Sequence, residues 1–220
     1  MEWFSEWFAD ISNTFYRCFI RDDRYMLLLN GIGVTIKVSL LAVALGILIG
    51  LLIALCNLSH RRLLRGIGKV YTDVIRGTPS VTQLMIIYFV IFATVQWEKW
   101  IIAAIAFGIN SGAYVSEIIR AGILSIDKGQ TEAGRSLGLN GRQTMLSIVI
   151  PQAVKNVLPA LGNEFIVLLK ETSVAGYIGI ADLTKGAQTI GSVTYDYIVP
   201  LLCAAYIYFL MTTTLATGLN

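Results

Sequence analysis

The sequence predicts an all-α polytopic membrane protein with five transmembrane helices, its N-terminus outside and its C-terminus cytoplasmic. Three observations lead there. The 220 residues are 55% hydrophobic and 14% charged, with a mean hydropathy of +0.68, above the roughly 45–50% apolar share of soluble domains. The apolar residues fall in runs of about 20, the length that crosses the hydrocarbon core. Lys and Arg gather in the connections of one side.

Taken in order, Val34–Cys56 is the clearest span, carrying only Lys37 near one end, where its stem can snorkel. The second, about Val70 to Val95, is interrupted by Arg76-Gly77-Thr78-Pro79 and is cleanly apolar only from Leu84, so it reads as broken or bent. The third, about Trp100 to Leu124, holds Asn110-Ser111-Gly112 in mid-run, then Glu117 and Arg120 three apart on one face as an expected ion pair. The fourth, about Thr144 to Leu169, contains Pro151, Lys155, Pro159 and Glu164, and the fifth runs from Ile198 to Leu219. Residues 1–30 are aromatic (Trp3, Phe4, Trp7, Phe8, Phe15, Tyr16, Phe19) without a signal-peptide pattern, and read as an extracytoplasmic interfacial segment before a transmembrane domain over 31–220. A short cytoplasmic tail is expected beyond Asn220, since no basic stop follows the last run.

Orientation follows from charge. The stretches 60–76 and 117–143 hold nine basic residues (Arg61, Arg62, Arg65, Lys69, Arg76, Arg120, Lys128, Arg135, Arg142), against five opposite (Arg17, Arg21, Arg24, Lys99, Lys185). The net charge of +3 without a like-charge block points to no nucleic acid. Cys18, Cys56 and Cys203 have no metal-ligand spacing and read as free thiols, and His60 is the sole histidine, so neither a metal site nor His-based catalysis is expected. HExxH, GxSxG and paired membrane aspartates are absent, which argues against an intramembrane enzyme.

Between spans three and four, residues 125–143 are too polar to insert and carry helix signals. Asp127 with Gln130 fits a capping box, Ala133 and Leu137 share a face, Gly138 is a stop, and Asn140 with Gln143 starts the next helix. A short cytoplasmic helix pinned between two spans is expected. Glu132-Ala133-Gly134, Gly138 and Ile148-Val149-Ile150-Pro151 match the spacing of the EAA loop, Glu-Ala-Ala, three residues, Gly, nine residues, Ile-x-Leu-Pro, with Gly134 for Ala and Ile150 for Leu. On this, with Arg76-Gly77-Thr78-Pro79, the block from Asn110 to Gly122 and the block from Leu158 to Phe165, residues 31–217 resemble the permeases of ABC importers, in their polar amino acid branch.

The resemblance implies a bacterial cytoplasmic-membrane subunit that pairs with a second permease, identical or homologous, and rests on a cytoplasmic ATPase dimer, which binds the ATP and Mg. An extracytoplasmic binding protein delivers the amino acid, received by the Gly-rich connection 172–197, and Glu132, Ala133, Gly134, Arg135 and Gly138 couple ATPase closure to alternating access. This chain has no P-loop, since Gly66-Ile67-Gly68-Lys69 is too short, so no catalytic residue is expected in it.

Glu164 has no Lys or Arg at i±3 or i±4 and needs either an interhelical partner or a cationic ligand group. The first makes it structural; the second makes it a solute contact and tilts the substrate toward cationic amino acids. Asn110 and Ser111 are candidates for the solute carboxylate against a plain packing role, and Gln83 and Thr78 are further candidates beside the break. The alternative function is an ATP-independent secondary carrier or channel subunit, which gives the EAA-spaced helix no role.

Overall fold

The computed structural model describes residues 12–219, which are helical or loop. Four helices are long and apolar enough to cross a membrane, 25–57, 99–124, 141–178 and 198–218, and a bent pair makes a possible fifth crossing. Their apolar side chains are in large part outward: Leu48, Leu52, Leu55, Leu202, Tyr206 and Phe209 are exposed. Apolar surface on that scale is incompatible with water and belongs against lipid or a partner.

Helix α1, Tyr25–Asn57, is 33 residues long, about 50 Å at 1.5 Å per residue, more than the roughly 30 Å of hydrocarbon. It begins at Tyr25, upstream of the Val34 read from hydropathy, so residues 25–30 belong to this helix. The expected aromatic interfacial segment lies partly outside the described residues. Of its remainder, Cys18 and Phe19 are buried with Leu28, Leu183, Ala187, Ile190 and Ala204 in one of the two apolar clusters, and Arg17 lies 3.6 Å from Asp196.

Helix α2, Arg62–Arg76, and α3, Ser80–Ile86 prolonged by a π turn to Ile91, meet at 104°. The second span is therefore bent, as expected, but its reading from Val70 needs correction: Val70 to Arg76 belong to an amphipathic helix with five charged residues, and the apolar limb starts at Ser80.

Helix α4, Lys99–Leu124, is the most deeply packed of the long helices, and it meets α1 along a seam of small residues. Ala42, Gly46, Gly50 and Ala54 recur every four residues on α1 and face Gly108, Ser111, Gly112 and Val115 of α4. A Cβ on Gly46 would lie 2.8 Å from Ser111 Oγ, and one on Gly108 2.8 Å from Leu45 Cβ. In lipid, where burial of apolar surface gives helices little reason to associate, such close backbone approach supplies the packing.

Helix α5, Lys128–Ser136, connects α4 to α6, Gly141–Thr144, which continues through a π turn into α7, Ile150–Glu171. Pro151 sits in the first turn of α7 and Pro159 inside it. A 3₁₀ segment, Thr172–Ile178, leads to α8, Leu183–Thr194, and then to α9, Ile198–Leu219. The connection 172–197 thus contains a helix that hydropathy did not reveal: α8 is too short to span, yet it buries Leu183, Gly186, Ala187, Ile190 and Thr194. Gly31 and Leu183 touch backbone to backbone, for a Cβ on Gly31 would meet Leu183 Cα at 2.7 Å.

Candidate functional site

The polar residues expected within the spans fall in two groups in the middle of α4, Ser111 facing α7 and Asn110 facing α3. Glu164 and Ser111 are buried, and Ser111 Oγ donates to Glu164 Oε1 at 2.8 Å. No Lys or Arg among the described residues lies within 4.0 Å of Glu164. Its second oxygen has no hydrogen-bond partner and is not closed off from access; the one fully enclosed, unpartnered side-chain polar atom among the described residues is Ser39 Oγ. The geometry therefore provides an interhelical partner and leaves half the carboxylate open.

Asn110, Gln83 and Thr78 form an adjoining chain. Breaking the helix at Gly77 to Pro79 frees backbone carbonyls, which need donors at membrane depth. Gln83 Nε2 supplies them with its two hydrogens, donating to Ile75 O at 2.7 Å and to Thr78 Oγ1 at 2.7 Å, the latter bond shared with Thr78 O at 3.1 Å, while Asn110 Nδ2 donates to Gln83 Oε1 at 2.9 Å. Tyr71 Oη donates to Ile109 O at 2.6 Å on the α2 side of the break. The amides thus bind the bend to the middle of α4. About two turns further along α4, Arg120 grips Glu117 through two bonds of 3.0 and 2.7 Å, and Arg76 approaches the same carboxylate at 3.8 Å.

Helix α5 is built by its caps. The Gly138 N–H donates to Arg135 O and the Leu139 N–H to Gly134 O, both at 3.1 Å, with Gly138 at φ +85°, the left-handed stop that glycine favours. Asn140 and Gln143 form the expected capping box. The start differs from expectation: Asp127 accepts from the Gly129 N–H at 2.6 Å, and Gln130 instead reaches α7, its Oε1 accepting from Gln152 Nε2 at 3.3 Å. Ala133 and Leu137 share an outward face, Ala133 exposed and Leu137 81% exposed, while Gly134 is buried. A Cβ on Gly134 would stand 2.8 Å from Thr144 Cγ2 and 2.9 Å from Ile148 Cδ1. Glycine holds this position because α5 lies directly on the start of the next membrane helix, leaving Glu132, Ala133, Arg135 and Leu137 facing away from the protein.

The sequence reading missed Asp182, which is 1% exposed and caps α8 by accepting from the backbone N–H groups of Thr184 and Lys185. Burial pushes its carboxyl above the ordinary aspartate range, against those bonds and one from Tyr208 Oη at 3.4 Å. An Asp followed by Leu183, Ala187, Ile190 and Thr194 at helical spacing was the available signal.

A bundle of apolar spans, one of them broken, carrying a surface helix between two of them and a polar cluster within, defines a membrane transport component. Residues 46–219 match the model of the binding-protein-dependent transport system inner membrane component family, and the chain belongs to that family. It is 42% identical over 190 residues to the putative glutamine transport system permease protein GlnP of Rickettsia bellii, covering 86% of this chain and 87% of that protein. It is 41% identical over 186 residues to the arginine transport system permease protein ArtQ of Bacillus subtilis, 84% and 85% of the two chains, and 40% identical over 194 residues to the L-cystine permease TcyB of the same organism, 87% and 83%. A crystal structure described as an amino acid ABC transporter with histidines superposes with a TM-score of 0.85 at 46% identity, covering 91% of this chain and 95% of that one. The inward-facing MetNI methionine ABC transporter shares the fold at a TM-score of 0.68 and 17% identity, over 90% and 99% of the two chains. The protein is thus an inner membrane permease of the amino acid ABC transport class.

Proposed function

We propose that this chain is the permease subunit of an ATP-driven importer of polar amino acids, cationic ones favoured, working by alternating access around the Glu164 region. The observation that carries the reading is α5: a capped helix seated by Gly134 on the next membrane helix, with Glu132, Ala133, Arg135 and Leu137 turned outward. An element so placed passes a push from a cytoplasmic partner into α4 and α7 without deforming. The partner is a separate ATPase dimer that binds ATP and Mg. A second permease, identical or homologous, completes the pore, and a binding protein delivers the solute at the surface formed by 172–197, including exposed Tyr177 and Tyr195.

In this reading the N-terminus is outside and α5 is cytoplasmic, in keeping with the basic residues of 60–76 and 117–143. Glu164 receives an amino group or cationic side chain on its open oxygen, Ser111 orients the carboxylate, and Asn110, Gln83 and Thr78 shape the adjoining wall. Relatives named for glutamine, arginine and cystine transport support the polar amino acid class.

The test is purification of the tagged chain from its native membrane in mild detergent, followed by reconstitution. A co-purifying ATPase whose vanadate-sensitive turnover rises with an amino acid and its binding protein is the expected result; transport without ATP would establish the secondary-carrier alternative. With the complex in hand, Glu164→Gln is expected to lower uptake of lysine, arginine or histidine at least tenfold while subunit stoichiometry is unchanged. Undiminished uptake would leave Glu164 with a packing role alone.

A further inference from the structure

Helix α2 presents three faces of different chemistry. Leu63, Ile67, Val70 and Val74, at i, i+4, i+7 and i+11, form an apolar stripe, and all four are more than half exposed. A second face carries Gly68, Tyr71 and Thr72 and is fixed to the protein, with Asn57 Nδ2 donating to Thr72 Oγ1 at 3.5 Å and Tyr71 held on α4. The third carries Arg65, Lys69, Asp73 and Arg76, which with Asn57 and Thr72 and with Glu117 and Arg120 of α4 line an open-sided cavity of about 280 Å³. Its lining holds four basic groups and two carboxylates. Arg76 and Arg120 both turn to Glu117, whereas among the described residues neither Arg65 nor Lys69 has a carboxylate within 4.0 Å.

A helix this charged does not enter hydrocarbon, and an exposed apolar stripe does not face water; the two together place α2 in the boundary layer. The length of α1 agrees, since α2 packs on Asn57 in the last turn of a helix longer than the hydrocarbon core. With the stripe in the acyl region, the basic flank and its cavity stand at the depth of lipid phosphates. We propose that this cavity is a binding site for the phosphate of an anionic phospholipid, held by Arg65 and Lys69 while the lipid tails lie along the α2 stripe. The shared chemistry, a phosphate anion, also occurs in solution; the stripe beside the cavity is what favours the lipid. The site is separate from the Glu164 region and does not depend on the transport reading.

The experiment places the purified complex in nanodiscs with equal phosphatidylglycerol and phosphatidylcholine and counts tightly retained lipid by native mass spectrometry. The wild type is expected to retain phosphatidylglycerol selectively. R65Q/K69Q should weaken that retention about 25-fold, about fivefold for each basic group, and the charge-conserving R65K/K69R should keep it. Equal retention of the two lipids by the wild type overturns the proposal, and this comparison decides even if R65Q/K69Q fails to assemble. Competition by soluble glycerol phosphate as effective as that by phosphatidylglycerol overturns the lipid assignment in favour of a soluble anion.

Discussion

At Gly134 one hydrogen in place of a methyl group decides how α5 sits. The family pattern has alanine here, yet a Cβ would press on Thr144 Cγ2 at 2.8 Å, so the departure is tied to the threonine beneath it. Gly134→Ala is expected to destabilise the assembled complex by about 1–3 kcal/mol, the range for overpacking, and Thr144→Ser, which removes the obstructing methyl, to recover part of that loss; thermal unfolding of the two variants measures it. Asp182 sets a pH dependence. Its carboxyl, raised by burial, holds its proton to higher pH in the folded state than in the unfolded one, so its contribution favours folding below the ordinary aspartate range and is lost as pH rises through the raised value. Asp182→Asn keeps an acceptor for the Thr184 and Lys185 N–H groups, and its melting temperature is expected to show less decline with pH above about 4 than the wild type, measured by calorimetry across pH 4 to 8.

The elements that matter most are the broken pair α2–α3 and the seam of α1 with α4. Gln83 binds three acceptors around the break while itself accepting from Asn110. Gln83→Leu would strip the Ile75 and Thr78 carbonyls of their donor at little change in volume, at a cost of about 1–3 kcal/mol for each group left unsatisfied. The expected readout is a lower melting temperature together with loss of uptake; a variant as stable as the wild type would show that water replaces the amide. The break was legible because Gly and Pro stood together inside an apolar run, but its angle was not. Hydropathy averages over residues and registers neither the stripe on α2 nor the turn of 104° that puts the basic flank beside Glu117.

For the whole molecule, the prediction is topology. In a background without Cys18, Cys56 and Cys203, Tyr195→Cys is expected to react with an impermeant maleimide added to intact cells, and Lys128→Cys only after the membrane is opened. The reverse pattern would invert the chain and remove α5 from the reach of any cytoplasmic ATPase.

The number of apolar runs, the basic bias of two connections and the EAA spacing are properties of local composition, because the bilayer acts as a solvent on each segment separately. From these, together with the Gly-Pro break and the Asp127 and Gly138 signals, followed the all-α membrane class, the bend of the second span, a short helix within 125–143 and the transporter family. Tertiary structure alone decided that Glu164 meets Ser111, residues 53 positions apart, that Gln83 serves the break, and that α8 is a helix whose inner face packs on α1. Those outcomes rest on how closely two backbones approach, which small residues on separate helices permit jointly, and no single segment carries that information.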